Sequence, residues 1–239
     1  MELLAACLKA GHHLKQWKEA VVCVIPKQGW ADYTLAKNLH PISLLECLGK
    51  LLEKIVAKLI YRDMTKFPII PTTQFGGCNA SSLQDAGLTL LHDIQSVHHA
   101  GLYTGLLFDI QGFFDNINHE RLAQIFANLG FAPELVSWCH SFLKDWMVRL
   151  CFNGRMSDPY DFMVGTLQGS PISLVLLIIY TSPLLHKMKD WTNSSLSMYI
   201  DDRAIFAYGR SWPSIINDLR EHYTTYVEWL TCLGLTYIL

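Results

Sequence analysis

The chain lacks both a long apolar run and a secretory signal. Residues 172–180 are largely apolar but span only nine positions before Thr181, whereas about twenty residues are needed to cross a bilayer. At the start of the chain, Glu2 is acidic and the apolar stretch that follows is brief, which does not fit a signal peptide. We therefore expect an intracellular protein without a membrane partner, and the sequence does not distinguish nucleus from cytoplasm.

Paired cysteines and an excess of basic charge are also absent. The seven cysteines are scattered without a Cys-x-x-Cys pair, which indicates isolated thiols rather than a zinc site or a disulfide framework. The chain has 19 lysines and arginines against 21 acidic residues. Because most affinity for nucleic acids comes from basic side chains on phosphates, any such surface must concentrate its basic residues locally.

One local concentration of basic residues is visible. Lys50, Lys54 and Lys58 recur every four residues and so share one face of a predicted helix. A capping-box pattern at Ser43 and Glu46 predicts that this helix starts near residue 44 and runs to about residue 64. The simplest interpretation of the lysine face is a solvated surface, and contact with a template backbone is the alternative.

Local patterns predict a mixture of helices and strands over the 239 residues, half of which are hydrophobic. Helices are expected at residues 2–18 and 83–99, from a cap at Asn118 to Gly130, from Pro133 towards residue 146, and at 172–185. Strands are expected at residues 20–26, 104–110, 148–152 and 160–164. The chain is long enough for one or two subdomains with a sizeable core.

The tetrapeptide Tyr199-Ile200-Asp201-Asp202 lies between two short runs that favour strands, so it predicts a hairpin with the two acids at its tip. Aspartate is common in turns for its own backbone hydrogen bonds, and turn chemistry alone is one interpretation. The other is a metal site, because adjacent carboxylates repel each other until a hard divalent cation neutralises them.

A third acid favours the metal site. Asp109 lies near the end of an apolar segment, Leu106-Leu107-Phe108-Asp109-Ile110, that is typical of a buried strand, just before the chain turns at Gly112. If this strand lies beside the hairpin, its carboxylate joins the acidic pair. Such a cluster can hold two ions for an in-line phosphoryl transfer.

Together these segments resemble, in order and spacing, a reverse transcriptase of the non-LTR retrotransposon type, over nearly the whole chain. The matching blocks are residues 22–27 with 38–45, Gln74-Phe75-Gly76-Gly77, residues 108–115, Gly165-Thr166-Leu167-Gln168-Gly169-Ser170-Pro171, and Tyr199-Ile200-Asp201-Asp202. The resemblance implies an α+β fold of fingers and palm, in which a small antiparallel palm sheet packs on helices. It further implies a fingers subdomain at residues 1–100 and a palm subdomain at residues 101–239.

The resemblance also implies a two-metal RNA-directed DNA polymerase. Asp109 and Asp201 would ligate two Mg²⁺ ions, with Mn²⁺ as the alternative metal. Asp202 would complete the acidic cluster, and the backbone carbonyl of Ile110 would help to hold the nucleotide-bound ion. The implied partners are an RNA or DNA template with its primer and deoxynucleoside triphosphates, whereas the oligomeric state is left open.

Four further residues match positions that contact the nucleotide in this family. Lys27 and His40 would face the triphosphate, and Gln168 would lie against the nascent base pair. Phe114 would pack under the sugar, where a bulky ring leaves no room for a 2′-hydroxyl.

Some positions depart from the family pattern. His40 stands where arginine is usual, and Leu167 where proline is usual. The chain stops four residues after Leu235, so we expect a palm truncated before the thumb and weak or absent activity. The alternative is a non-catalytic remnant that binds RNA or a protein. A third interpretation, a nucleotide cyclase or another phosphoryl transferase with a palm fold, would leave residues 168–171 unexplained.

Overall fold

The computed structural model describes residues 2–67, 69–77, 82–98, 101–188, 190–200 and 202–238. The helices are α1 (Glu2–Lys9), α2 (Cys47–Lys66), α3 (Leu83–His98), α4 (His119–Asn128), α5 (Pro133–Leu143), α6 (Ser173–Met188) and α7 (Trp212–Cys232). The strands are β1 (Glu19–Pro26), β2 (Leu39–Leu45), β3 (Leu102–Gln111), β4 (Trp146–Phe152), β5 (Arg155–Met156), β6 (Tyr160–Phe162), β7 (Ser194–Tyr199), β8 (Asp202–Gly209) and β9 (Thr236–Ile238).

The chain divides into two compact units. The first unit consists of Met1–Ile60 with Asn118–Ser173, and the second of Tyr61–Ile117 with Leu174–Leu239. Each unit therefore combines two separate stretches of sequence. The assignment of residues 1–100 to fingers and 101–239 to palm stays a prediction.

The first unit contains a mixed sheet. Its strands follow the order β2-β1-β4-β5, and β6 also pairs with β4. β1 runs antiparallel to β2 and parallel to β4. Ala20 and its partner Val148 are buried, whereas the neighbouring partners Val21 and Arg149 lie on the more open face. This alternation follows from the two-residue period of a strand and sets one face of the sheet against the core.

An aromatic cluster forms part of the core of the first unit. His13 is fully buried, and its ring centroid lies 5.3–6.1 Å from those of Trp17, Trp138, Phe142 and Trp146. Burial among these rings lowers the pKa of His13 to about 3, and the nearby positive charge of Lys18 acts in the same direction. His13 is therefore a neutral core residue at physiological pH.

The predicted start of the long helix is wrong. Ser43 lies in β2, where its backbone N–H donates to the Gln168 carbonyl at 2.6 Å, and α2 begins only at Cys47. Pairing with β1 and the hydrogen bond to Gln168 hold residues 39–45 in an extended strand, and together they outweigh the local capping pattern. The predicted helix at residues 2–18 is also shorter, because Gly11 adopts a left-handed φ of 58° and α1 ends at Lys9.

The second unit contains an antiparallel sheet in the order β7-β8-β3-β9. Helix α7 packs on it, and the ring of Phe108 in β3 lies 4.7 Å from Tyr226 and 6.0 Å from Tyr223. From α6, the buried Tyr180 hydroxyl donates to the Leu233 carbonyl at 2.8 Å. The expectation of an α+β fold with a small antiparallel sheet packed on helices is confirmed.

The apolar segment at residues 172–180 forms most of the buried first half of α6, as expected for a core helix. Among the residues that the structure describes, no helix is long and apolar enough to span a membrane.

Candidate functional site

The acidic site begins with Asp109 on the exposed face of β3. Along this strand, Leu107 is 72% exposed, whereas Phe108 and Ile110 are 6% and 2% exposed. Asp109 is exposed like Leu107, because successive side chains of a strand point to opposite faces. The strand thus buries Phe108 and Ile110 and presents the Asp109 carboxylate to solvent.

Asp109 and Asp202 lie directly opposite each other in the sheet. The antiparallel register of β3 and β8 pairs Asp109 with Asp202, and the next positions pair the buried Phe108 with the buried Arg203. Opposite residues in an antiparallel pair project from the same face with Cβ atoms about 4.5–5.5 Å apart. Two exposed carboxylates therefore face each other, an arrangement that repels unless a cation lies between them.

The predicted hairpin is present. β7 and β8 pair antiparallel from Ser194 with Ala207 to Tyr199 with Asp202, so Asp202 begins β8 rather than lying at the tip, and two positions separate the paired ends. Asp201 lies outside the described residues, so its approach to Asp109 stays a prediction. Among the residues that are described, no group of three or more histidine, cysteine, aspartate or glutamate side chains could hold a metal.

Arg203 supports the turn from the buried side of the hairpin. Its side chain is only 2% exposed, and its guanidinium donates to the carbonyl of Ile200 and, at 3.0 Å, to the carbonyl of Asp202. The guanidinium carbon lies 5.2 Å from the ring centroid of Phe113, within range of a cation–π interaction. The sequence patterns above did not predict this role, although an arginine at a position of an apolar strand that alternates with exposed residues is a signal for it.

Electrostatics connect Asp109 with the core below it. Burial raises the pKa of the Tyr226 hydroxyl to about 12, Arg203 opposes that rise, and the negative charge of Asp109 adds to it. The buried side chains beneath β3 therefore include Arg203, which provides positive charge near Tyr226 and Asp109.

Ile110 and Phe114 both follow Asp109 along the chain. Ile110 is buried, and its backbone pairs with Tyr237 of β9. Beyond β3, Gly112 has a left-handed φ of 57° and its carbonyl accepts from the N–H of Asp115 at 3.0 Å. Phe114 lies in this turn, is half-buried, and has its ring 6.4 Å from that of Phe113. The metal role of Ile110 and the sugar contact of Phe114 stay predictions.

The Gln168 loop belongs to the first unit and is held by β2 and α2. Gly169 has a φ of 119°, and a Cβ there would lie 2.5 Å from the Ser43 carbonyl oxygen, so the loop requires glycine. Ser170 donates from its hydroxyl to Glu53 of α2 at 2.5 Å. Gln168 itself is half-buried. These contacts fix the loop that carries Gln168, whose substrate contact stays a prediction.

Glu53 was not predicted from the sequence as a residue of the site. It is fully buried on the inner side of α2, next to Leu52 and one turn before Ala57. Burial raises the pKa of its carboxyl to about 7, while the hydrogen bond from Ser170 and the charge of Lys50 lower it. A glutamate in the buried phase of this helix was the available signal.

Lys27 and His40 lie at the same end of the β1–β2 pair, where Pro26 pairs with Leu39 and Ile25 with His40. The Lys27 N–H donates to the Asn38 carbonyl at 3.0 Å, and both Lys27 and His40 are exposed. The structure thus brings these two residues together in the first unit.

The lysine face of α2 also belongs to the first unit. Lys54 and Lys58 are exposed and Lys50 is half-buried, as the four-residue spacing predicted. The contacts of Lys27 and His40 with a nucleotide, and of the lysine face with nucleic acid, stay predictions.

Three comparisons with known proteins agree with this architecture. The family model described as reverse transcriptase (RNA-dependent DNA polymerase) matches residues 25–237. The chain is 28% identical over 229 residues to the probable RNA-directed DNA polymerase from transposon BS of Drosophila melanogaster, covering 94% of this chain and 25% of that protein. It is 27% identical over 233 residues to the RNA-directed DNA polymerase from mobile element jockey of the same species, covering 93% and 25%.

Solved structures of telomerase share the fold. Telomerase from Candida albicans, in complex with a fragment of telomeric RNA, superposes with a TM-score of 0.67 at 11% identity, over 92% of this chain and 42% of that one. Apo telomerase from Candida tropicalis gives a TM-score of 0.65 at 13% identity, over 93% and 44%. The chain therefore spans about a quarter of the length of the curated relatives and less than half of these structures.

Proposed function

This chain belongs to the reverse transcriptase (RNA-dependent DNA polymerase) family, and from that premise we propose that it carries the catalytic core of an RNA-directed DNA polymerase. The reaction would transfer a deoxynucleotide to the 3′-hydroxyl of a primer. The observation that carries the proposal is the register of β3 and β8, which sets Asp109 opposite Asp202 on an exposed face, with Asp201 next in the chain.

The acidic residues suit divalent ions. Carboxylate oxygens are the ligands that Mg²⁺ and Mn²⁺ prefer, and the opposed pair of Asp109 and Asp202 gains stability from any cation placed between them. Asp109 and Asp201 would hold two ions, with help from the backbone carbonyl of Ile110. Asp202 would complete the acidic cluster. When bound, such ions lower the pKa of the attacking hydroxyl and stabilise charge on the phosphate.

Other residues of the chain would place the substrates. The ring of Phe114, five positions beyond Asp109, would exclude a 2′-hydroxyl and so select deoxynucleotides. Gln168 would lie against the nascent base pair, on a loop that Ser43 and Glu53 hold in place. Lys27 and His40 would contact the triphosphate, and Lys50, Lys54 and Lys58 would follow the template backbone.

Primer extension tests this proposal. The purified chain is incubated with a primed RNA template, deoxynucleotides and Mg²⁺ or Mn²⁺ at high protein concentration. We expect weak extension that Asp109→Asn and Asp202→Asn reduce by at least a hundredfold, whereas the matched surface variant Asp158→Asn, in the exposed loop before β6, extends as the wild-type chain does. Failure of the folded wild-type chain under both metals would overturn the proposal.

A second candidate is a non-catalytic module that binds RNA or a protein. The observation that favours it is the net charge. The chain has 19 basic and 21 acidic residues, whereas a protein that binds a polyanion tightly usually has an excess of basic residues. Binding of labelled RNA by a chain that fails to extend primers would support this role over polymerisation.

A further inference from the structure

A short segment that belongs to none of the named strands lies beside β7, the first strand of the acidic hairpin. We call residues 73–77 the bracing segment. The N–H of Phe75 donates to the Met198 carbonyl at 2.9 Å, and the N–H of Met198 donates to the Thr73 carbonyl at 3.0 Å. Gln74 thereby forms a parallel bridge to Met198 at the edge strand β7. The segment is thus anchored to the strand that leads into the turn.

The bracing segment is also fixed internally. Gln74 is 3% exposed, and its side-chain amide donates to the Gly76 carbonyl at 2.8 Å. The hydroxyl of Tyr61, in α2, donates to the Gly77 carbonyl, and Gly77 has a left-handed φ of 70°. Because both carbonyls are engaged, the backbone around Gly76 has little freedom to move away from the hairpin.

Gly76 lies against the backbone of the turn. A Cβ atom at this position would lie 2.6 Å from the Ile200 nitrogen, 2.6 Å from its Cγ1 and 3.0 Å from the Tyr199 carbonyl carbon. Two of these three atoms are backbone, so rotation of a side chain cannot relieve the overlap. Gly87 in α3 is different, since a Cβ there would meet nothing within 4 Å.

The turn needs such support because its backbone is strained. Ile200 has a φ of 57°, a conformation that β-branched residues rarely adopt. Strained backbone persists only where its surroundings determine it strongly. Here, Gly76 occupies the space beside the Tyr199–Ile200 peptide, and Arg203 donates to the carbonyls of Ile200 and Asp202.

We propose that Gly76 is a positioning residue for the acidic turn: because it has no side chain, its backbone fits against Tyr199 and Ile200 and fixes the two residues that precede the acidic pair in the chain. The consequence for metal binding rests on the proposed function. Because Tyr61 and Gln74 hold the bracing segment in place, we expect added volume at position 76 to displace the turn, and with it Asp202 relative to Asp109. The bracing segment is therefore part of the support for the metal site.

The test compares Gly76→Ala with wild type and with Gly87→Ala, a matched glycine substitution in open space. Hydrogen–deuterium exchange of peptides that cover residues 198–205 reports on the turn without reference to activity. Titration with Mn²⁺, followed by electron paramagnetic resonance of the free ion, reports on the metal site. Asp109→Asn identifies the binding that belongs to the acidic site.

We expect Gly76→Ala to speed exchange in the hairpin at least tenfold and to weaken Mn²⁺ binding at least fivefold, while Gly87→Ala matches wild type in both. Wild-type exchange and wild-type Mn²⁺ affinity in Gly76→Ala would overturn the positioning role and leave the proposed function intact. If Asp109→Asn binds Mn²⁺ as tightly as wild type does, the proposed function is overturned and, with it, the consequence for metal binding.

A second variant covers the case in which Gly76→Ala does not fold. Gln74→Leu removes the amide that donates to the Gly76 carbonyl but adds no atoms beside the turn. It should speed exchange in the hairpin in the same direction, by at least threefold. Unchanged exchange in folded Gln74→Leu would overturn the proposal.

Discussion

Replacing Glu53 with glutamine should stabilise the protein, and the gain should depend on pH. The carboxyl of Glu53 is fully buried in α2 and accepts a hydrogen bond from Ser170. Burial raises its pKa from an ordinary value of 4.5 to about 7. A glutamine amide resembles the protonated acid in shape and can still accept from Ser170, but it carries no charge at any pH.

The sign of the effect follows from the raised pKa. The folded chain holds a proton on Glu53 at pH values where the unfolded chain has lost it, so wild type loses stability as pH rises from about 4.5 to about 7. Each pKa unit corresponds to about 1.4 kcal/mol, and the full cost of the buried charge is therefore about 3 kcal/mol above pH 7. Glu53→Gln should remove that cost.

Urea denaturation at pH 5, 6, 7 and 8 measures the effect. The free energy of unfolding of Glu53→Gln should exceed that of wild type by only about 1 kcal/mol at pH 5 and by about 3 kcal/mol at pH 8. His13, with a pKa lowered to about 3, makes both proteins less stable as pH falls below 6.5, but this contribution cancels in the difference. A difference that stays constant from pH 5 to pH 8 would refute the reasoning.

Three other substitutions test separate parts of the structure. Phe114→Val should raise ribonucleotide incorporation at least tenfold in primer extension, because it removes the ring that excludes the 2′-hydroxyl; unchanged selectivity would remove Phe114 from the site. His40→Arg should lower the Michaelis constant for deoxynucleotides about tenfold, since a charged phosphate contact contributes about 1.5–3 kcal/mol, and an unchanged constant would mean that position 40 does not face the nucleotide. Asn118→Ala should lower the free energy of unfolding by about 1 kcal/mol, because the Asn118 side chain accepts from the Arg121 N–H at 2.9 Å and caps α4; Asn118→Asp should retain the wild-type value.

Local patterns predicted the elements whose signals lie within a few residues. The Asn118 cap, the Pro133 start of α5 and the hairpin of β7 and β8 are present as expected. In each case the predictive residue acts on its own backbone or on a neighbour along the chain, so no distant contact is needed to decide the outcome.

Patterns failed where a distant segment decides the structure. The cap pattern at Ser43 and Glu46 was overridden by pairing of β2 with β1 and by the hydrogen bond from Ser43 to Gln168, far along the chain. The register of β3 and β8, which pairs Asp109 with Asp202, likewise depends on contacts between segments about ninety residues apart. Motif order suggested their proximity, but only the structure gives the pairing.

The supporting residues of the site were not predicted. Arg203 and Glu53 are charged residues in the buried phase of a strand and a helix, and each hydrogen-bonds to a turn or loop that carries candidate functional residues. A charge at a buried position is expensive unless it has a partner, so such positions are informative. Their partners, a turn carbonyl and a serine hydroxyl, could not be identified from the sequence alone.

Affinity cleavage with iron tests the central claim most directly. Fe²⁺ placed in the divalent site, with ascorbate and peroxide, generates hydroxyl radicals that cut the nearby backbone, and the fragments are identified by mass spectrometry. The account predicts cuts at residues 108–112 together with cuts at residues 199–203, both suppressed by excess Mg²⁺ and by Asp109→Asn. Cuts at only one of these segments, or cuts that persist in Asp109→Asn, would contradict an acidic site shared by β3 and the hairpin.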